Sequence, residues 1–417
     1  MIQNFKINSR EIDKIAVLNK RDKDFRIKNL EFFNKEGFPT KHQEDWKFSD
    51  VREIFGKNFN KLSIHHDNSK EKFFKLIKDF EHNYIILING ELIRSDLKFE
   101  DKNKYEIKNY HAEYFPEKQS ENPLICLNHA LSNKGYFLHI KNDYKFKKVL
   151  IIYNVFTEEL TNQILNNKNK ILVGENSELH TIDYTINLSK NKFINNNYEN
   201  IVLNKNSKFK SISIQANKSN GYFHKFSDSK LKSDSSYSNF IFSSGLTFNK
   251  QDLKFDLEGE NSNCNLRSAI FLNGNDHQEI KTKINHLVPH CRSFQKIKSV
   301  LDSSAKGVYQ GKIFVKDIAQ KTNAYQLSKA LLLDENSEFD SKPELEIYAD
   351  DVKCSHGSTS GSLDENSIHY LMTRGLTKKE ATKLLINGFL NDIISEIKSE
   401  TMRKFVENKL DFQINGH

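Results

Sequence analysis

Between about residue 148 and residue 353 the chain repeats one small pattern: an apolar residue, a polar turn, a small residue, and a second apolar residue two positions on. The copies are Val173…Ser177…Leu179, Leu203…Ser207…Phe209, Leu231…Ser235…Tyr237, Leu257…Ser262…Cys264 and Leu333…Ser337…Phe339, with Ala305 followed by Val308 as a degenerate member. The small residues stand at 177, 207, 235, 262, 305 and 337, so the spacings are 30, 28, 27, 43 and 32, each close to a multiple of about 14, and a fixed period of this kind is the mark of stacked repeats. In a β-helix each short strand pairs with the strand one turn earlier, and the inward apolar residues stack into a continuous core. An antiparallel β-sandwich with even strand lengths is the alternative that spacing alone leaves open. Segments such as Val149–Val155, Ile171–Val173, Ile201–Leu203, Ser211–Ile214, Phe240–Phe242, Lys312–Val315 and Glu344–Tyr348 are short and bounded by Asn, Ser, Gly or Asp, as strands are. No helical spacers of the sort a βαβ fold needs lie between them.

The flanks differ in texture. Residues 1–82 read as a helical region: Leu30, Phe32 and Phe33 precede a break at Gly37-Phe38-Pro39, the lone tryptophan sits in Glu44-Asp45-Trp46-Lys47-Phe48, and Phe73, Phe74, Leu76, Ile77 and Phe80 recur at helical spacing. Residues 83–147 form a mixed connection into the core, in which Tyr84–Ile88 ends in the tight-turn dipeptide Asn89-Gly90. The core is assigned to 148–357 and a small helical domain to 358–417. Ser362-Leu363-Asp364-Glu365 and Thr377-Lys378-Lys379-Glu380 both have capping-box spacing. Ile368, Leu371 and Met372 follow the first, and Gly375 closes that helix. Ala381, Leu384, Leu385, Gly388 and Phe389, continued by Ile393, Ile394 and Ile397, form a stripe after the second. Phe405, Val406 and Leu410 suggest a last helix. A bare coil end exposes unpaired strand edges, so these helices are expected to cap the solenoid. Their stripes are also broad enough to hold a partner.

Composition narrows the function. The net charge is +8 over 417 residues, yet the lysines are interleaved with acidic residues and no run pairs Arg with stacking aromatics, which argues against nucleic acid. The longest apolar runs, such as Tyr84–Ile88 and Val149–Tyr153, are far too short to cross a bilayer. The polar stretch Met1 to Arg10 does not resemble a signal peptide. Four widely spaced cysteines, Cys126, Cys264, Cys291 and Cys354, do not make a disulfide framework. A cytoplasmic, reducing setting is expected. There is no Walker-type loop, G-x-G-x-x-G, H-E-x-x-H, G-x-S-x-G or C-x-x-C.

The motif that could carry chemistry is Asp350-Asp351-Val352-Lys353-Cys354-Ser355-His356-Gly357, at the junction of the last strand and the helical domain. Residues i and i+2 of an extended segment face one side, so Cys354 and His356 can point together, and thiolate with imidazole is a ligand pair for zinc or an iron–sulfur site. Two ligands do not close a four-coordinate site; the others come from elsewhere in the fold or from a partner. A buried cysteine beside a hydrogen-bonded histidine is the plainer reading. His286-Leu287-Val288-Pro289-His290-Cys291 is a second group of soft ligands, but Pro289 disfavours a helix that would align the two histidines. It reads as a coil corner with its polar residues outward. A β-helix polysaccharide enzyme would need a carboxylate cluster in a groove, and the adjacent Asp350-Asp351 pair faces opposite sides of a strand. A purely structural solenoid or homodimeric adaptor is the third possibility.

The whole stretch Lys342–Gly357, continued by Gly361-Ser362-Leu363-Asp364-Glu365, Tyr370-Leu371 and Arg374-Gly375, resembles the SufD side of the SufB/SufD family of iron–sulfur cluster assembly scaffolds. Gly307–Ile313, Ala319-Gln320-Lys321-Thr322 and Glu44–Phe48 are similar to further elements of that family. Cys354-Ser355-His356-Gly357 fits the SufD side better than the SufB side. The resemblance implies a mainly β fold, a right-handed parallel β-helix with helical regions at both ends, and a scaffold rather than an enzyme. It implies pairing with a SufB-like paralogue through the end of the β-helix and docking of a SufC-like ABC ATPase on the C-terminal helices, for which Leu371, Leu384, Leu385 and Phe389 are the candidates. It implies a nascent iron–sulfur cluster at the interface with His356 among its ligands and Cys354 beside it, and no cofactor held tightly by the chain alone. Isolated chains could pair with one another.

Overall fold

The computed structural model describes residues 5–415 apart from 71, 73 and 116–119. It is a parallel β-helix of about eight turns. Each turn contributes two strands, and these stack into two ladders. One ladder runs from Asn83–Ile88 and Leu150–Phe156 through Glu178–Asn187, Lys208–Gln215, Ser236–Ser244, Asn263–Leu272, Arg292–Leu301 and Asn323–Leu332 to Lys353–Ser362. The other runs from Lys134–Ile140 and Gln163–Val173 through Phe193–Leu203, Ser219–Leu231, Leu246–Leu257, His277–His286 and Lys306–Val315 to Glu338–Ile347. The ladder therefore begins inside the stretch expected as a connection and continues past residue 357. Asn89-Gly90 makes the expected hairpin, both residues at positive φ, joining Asn83–Ile88 to the antiparallel Glu91–Asp96.

The geometry explains the sequence period. Ser177, Ser207, Ser235 and Ser262 each precede a strand of the first ladder, one full turn apart. Cys291 occupies the next place in that column, its Sγ 3.2 Å from Ser262 Oγ, so a cysteine concealed one copy of the repeat. Ala305 and Ser337 precede strands of the other ladder, which is why one spacing is a turn and a half. Just before the residues that lead into the first-ladder strands, Ser177, Ser207, Ser235, Ser262, Cys291 and Thr322, the chain turns through a left-handed conformation at Asn176, Asn206, Asp234, Asn261, His290 and Lys321, where Asn and Asp are the least strained non-glycine residues. The corner side chains also bridge turns: Asn206 Nδ2 donates to Asn176 Oδ1 at 2.9 Å, and Asn176 Nδ2 to Asp143 Oδ1 at 2.8 Å. Leu179, Phe209, Tyr237 and Cys264 follow inside the lumen, with the Phe209 and Tyr237 rings stacked at 4.8 Å.

Both outer faces of the coil are covered, so strands such as Phe240–Phe242 are apolar without alternation. Helices α1 (Lys20–Glu36), α2 (Val51–Asn58) and α3 (Pro123–Leu131) cover the second ladder. The Glu44–Phe48 element fastens this layer. Trp46 is buried over the Lys250 ammonium, 4.6 Å from ring centroid to Nζ, while Glu44 pairs with Lys342 and Asp45 with Lys281. The segment 74–80 is not helical. Phe74, Leu76, Ile77 and Phe80 instead lie along the other face of the coil in an irregular strap, packed on the same apolar layer as the C-terminal helices; Phe73 lies outside the described residues. Helical spacing arose there because a strap crossing a flat surface also needs most of its residues apolar.

Helices α4 (Glu365–Thr373), α5 (Lys378–Ile394) and α6 (Glu400–Asn415) complete the fold. The cap of α4 is Asp364 rather than Ser362, whereas Thr377 and Glu380 form the expected capping box. Gly375, at φ 98°, ends α4. These helices do not cap the coil. Helix α5 folds back along the outside of Asn263–Leu272 and Arg292–Leu301, burying Ile386, Leu390, Ile393 and Ile394. Lys298 Nζ reaches Asp392 at 2.5 Å and Lys296 Nζ reaches Glu396 at 3.1 Å. Phe405 of α6 packs edge-on against Phe80 and near Tyr184.

Candidate functional site at the open end of the coil

Because the helices lie on the side, no described residue stacks over the last turn of the coil as another turn would. Strands Glu338–Ile347 and Lys353–Ser362 each pair with the turn before and, among the described residues, have no strand beyond. Residues that would be buried in any other turn are exposed or half-exposed here, among them Phe339, Leu345 and Ile347. The opposite end is closed by the antiparallel strands Glu91–Asp96 and Tyr105–Asn109.

Cys354 and His356 lie on this terminal strand, in register with Ala324 and Gln326. Ala324 and Gln326 are buried, facing the lumen, so Cys354 and His356 continue two lumen-facing columns to the point where the lumen opens. His356 is exposed and makes no hydrogen bond to any described residue. Cys354 is half-buried against Leu345 and Val352, and burial holds its thiol above the usual range. Beside them, Ser358 accepts a hydrogen bond from Ser328 at 2.9 Å, and Ser341 lies 2.9 Å from the same hydroxyl. The end of the coil thus presents one free imidazole, one thiol and two hydroxyls on an uncovered surface. No group of three or more His, Cys, Asp or Glu side chains converges among the described residues. The donor set suits iron in kind but supplies two positions at most, and a cluster held here would draw its other ligands from a facing surface.

The other soft-ligand group is ruled by packing. His290 forms a coil corner at φ 62°, but His286 and Cys291 do not point outward as the sequence suggests. Both are fully buried in the core, His286 with Nε2 2.9 Å from Ser293 Oγ. The chain there ends one strand and begins the next, and the register that stacks Cys291 under Ser262 sends both side chains into the lumen.

The proposed docking residues fall into different environments. Leu384 is exposed, while Leu371 and Leu385 are half-buried. Phe389 turns toward the coil, its ring beneath the Lys298 ammonium at 4.6 Å. The stripe read from the sequence is shifted because α5 is apolar on two sides, and the side that packs is the one carrying Ile386 and Leu390. Met372, read from the spacing as part of the first helix's stripe, and Tyr370, which the spacing left unremarked, join Leu384 as the exposed large apolar residues of α4 and α5.

Residues 155–389 match the family described as the SufBD core domain of the SUF system for FeS cluster assembly, and residues 2–152 match the SufBD protein N-terminal region. The chain is 23% identical over 384 residues, 91% of its own length and 90% of the other, to the iron–sulfur cluster assembly protein SufD of Escherichia coli. It is 30% identical over 149 residues, 36% of its length and 34% of the other, to SufD of Bacillus subtilis. A SufBD family protein of Staphylococcus aureus is 22% identical over 408 residues, covering 90% of this chain and 86% of that one.

Proposed function

The chain belongs to the SufB/SufD family of iron–sulfur cluster assembly proteins, on its SufD side, and from that premise we propose that it is a scaffold subunit whose bare coil end joins a SufB-like paralogue. His356 supplies one ligand to iron at that junction, and Cys354 stands by as a second. The paralogue supplies the rest, and the nascent cluster is cargo rather than a resident cofactor. A SufC-like ABC ATPase docks on the exposed side of α4 and α5, around Leu384 with Leu371 and Leu385. ATP-driven dimerisation of that partner pulls the helical domains and opens the junction. The chain itself performs no catalysis, and it works in the cytoplasm.

The observation that carries this reading is the last turn, where, among the described residues, two ten-residue strands have an unpaired edge and the His356 side chain has no hydrogen-bond partner. Such an edge is a template for strand or side-chain pairing with another chain and is otherwise a liability. Coexpression with SufB-like and SufC-like partners, followed by sizing and anaerobic iron and sulfide analysis, tests it. Ile347→Glu at the coil end is expected to lose the paralogue and keep the ATPase, and Leu384→Glu the reverse. Retention of the paralogue by Ile347→Glu would remove the coil end from the interface.

A further inference from the structure

Four lysines of the described chain are almost completely buried: Lys134, Lys168, Lys250 and Lys298. Three have polar partners. Lys134 donates to the Asp67 carbonyl and approaches Glu91 at 3.6 Å. Lys250 pairs with Glu279 and Asp252. Lys298 reaches Asp392 and the Phe389 carbonyl. Lys168, 4% exposed, has neither a hydrogen bond nor an ion pair to any described residue. Its side-chain nitrogen lies 5.8 Å from each of the faces of Phe115 and Tyr198, and burial, with the nearby Arg26 charge, pushes its pKa well below the ordinary lysine range, opposed only in part by Asp22.

Lys168 sits on the outer face of Gln163–Val173, under the N-terminal layer and far in sequence from the coil end. It lines a cavity of about 430 Å³ together with the first turn of α1, Tyr110, Glu113 and His129. The adjacent Arg26 cannot be satisfying anything in that cavity without giving up its own bonds: it holds Asp22 at 3.1 Å, the Ala130 and Ser132 carbonyls at 3.1 and 3.0 Å, and Tyr110 Oη at 3.0 Å. Asp22 is occupied in turn by Arg26 and the Leu18 amide. The volume far exceeds that of one water, about 30 Å³. A buried cation with no ion pair of its own, sharing with Arg26 the charge of Asp22, is costly, and the positive end of α1 adds to the field at the same place.

We propose that this cavity binds a small oxyanion, the carboxylate or phosphate group of a small molecule, with Lys168 as its principal cationic contact. The ligand restores to Lys168 the pairing that the other three buried lysines have within the chain. The aromatic rings of Phe115 and Tyr198 flank it and favour a compact head group over an extended polyanion.

The test uses the full chain, with sodium phosphate and sodium acetate as probes and sodium chloride at matched ionic strength as control, read by calorimetric titration and thermal shift. Saturable binding of either probe is expected, weakened about tenfold or more in Lys168→Met, as loss of a charged hydrogen bond requires. Preference for phosphate or for acetate assigns the head group. Glu113→Gln, which removes an exposed carboxylate from the cavity rim, is expected to tighten binding severalfold, and it reports even if Lys168→Met does not fold. Binding of neither probe beyond the chloride control, or equal binding by Lys168→Met and wild type, would overturn the assignment.

Discussion

Replacing His356 by alanine separates a scaffold ligand from a structural histidine. The side chain is exposed, on a terminal strand, and has no hydrogen bond to a described residue. Removing it leaves no cavity and strands no polar partner, so the stability cost should be about 0.5 kcal/mol or less, a shift in melting temperature of roughly 1 °C for a chain of this size. The strand itself is held by its register with Asn323–Leu332, which the substitution does not touch. If His356 is an iron ligand at a subunit junction, the same substitution should lower iron and acid-labile sulfide in the coexpressed complex by about tenfold or more, since even groups that only support a ligand are worth that much. The assay pairs a melting curve of the isolated chain with anaerobic metal analysis of the complex. A melting temperature several degrees lower would make His356 structural. An unchanged melting temperature with undiminished iron would remove it from the site altogether.

Three further expectations follow from the packing. Leu390→Ala, at a fully buried position of α5, should cost about 2–5 kcal/mol in denaturant unfolding, and a cost under about 1 kcal/mol would mean that α5 does not pack on the coil as described. Burial pushes the His286 imidazole down to about 4, so the unfolded chain binds the extra proton first; stability should fall as pH drops from about 6.5 toward 4, by up to about 1.4 kcal/mol per unit, and His286→Gln should flatten that slope in melting curves. The Lys298 and Lys296 ammonium groups hold the Asp392 carboxyl down to about 2. Its contribution is present above the unfolded value of about 3.9 and lost as pH falls through about 2. Asp392→Asn should therefore reduce, by less than about 1 kcal/mol because the carboxylate is largely exposed, the pH dependence of proteolytic release of α5 across that window, leaving the part that Glu396 contributes.

Much of this architecture is written in the chain's spacing. The column of small residues before each strand, the Asn and Asp corners, the Asn89-Gly90 hairpin and the Thr377 capping box are all local demands: a left-handed corner needs a tolerant residue, and a helix start needs an acceptor. They can be read one residue at a time, and they gave a coil with helices after it. The Cys354-x-His356 pair was legible for the same reason, because alternation along a strand is a property of the backbone.

What the sequence could not decide is which surfaces meet. Helix α5 carries apolar residues on more than one side, and only the position of the coil's flank selects Ile386 and Leu390 for burial over Leu384. The strap at 74–80 has helical spacing but no helix, since contact with the layer around Tyr153 and Phe405 outweighs local propensity. His286 looked outward and lies inward because the register of the described strands, each fixed by its neighbours, places it there. Most telling, the C-terminal helices lie along the side of the coil and leave its end bare. The salt links from Lys296 and Lys298 to Asp392 and Glu396 join residues roughly a hundred positions apart, and such long-range pairings are set by tertiary structure alone.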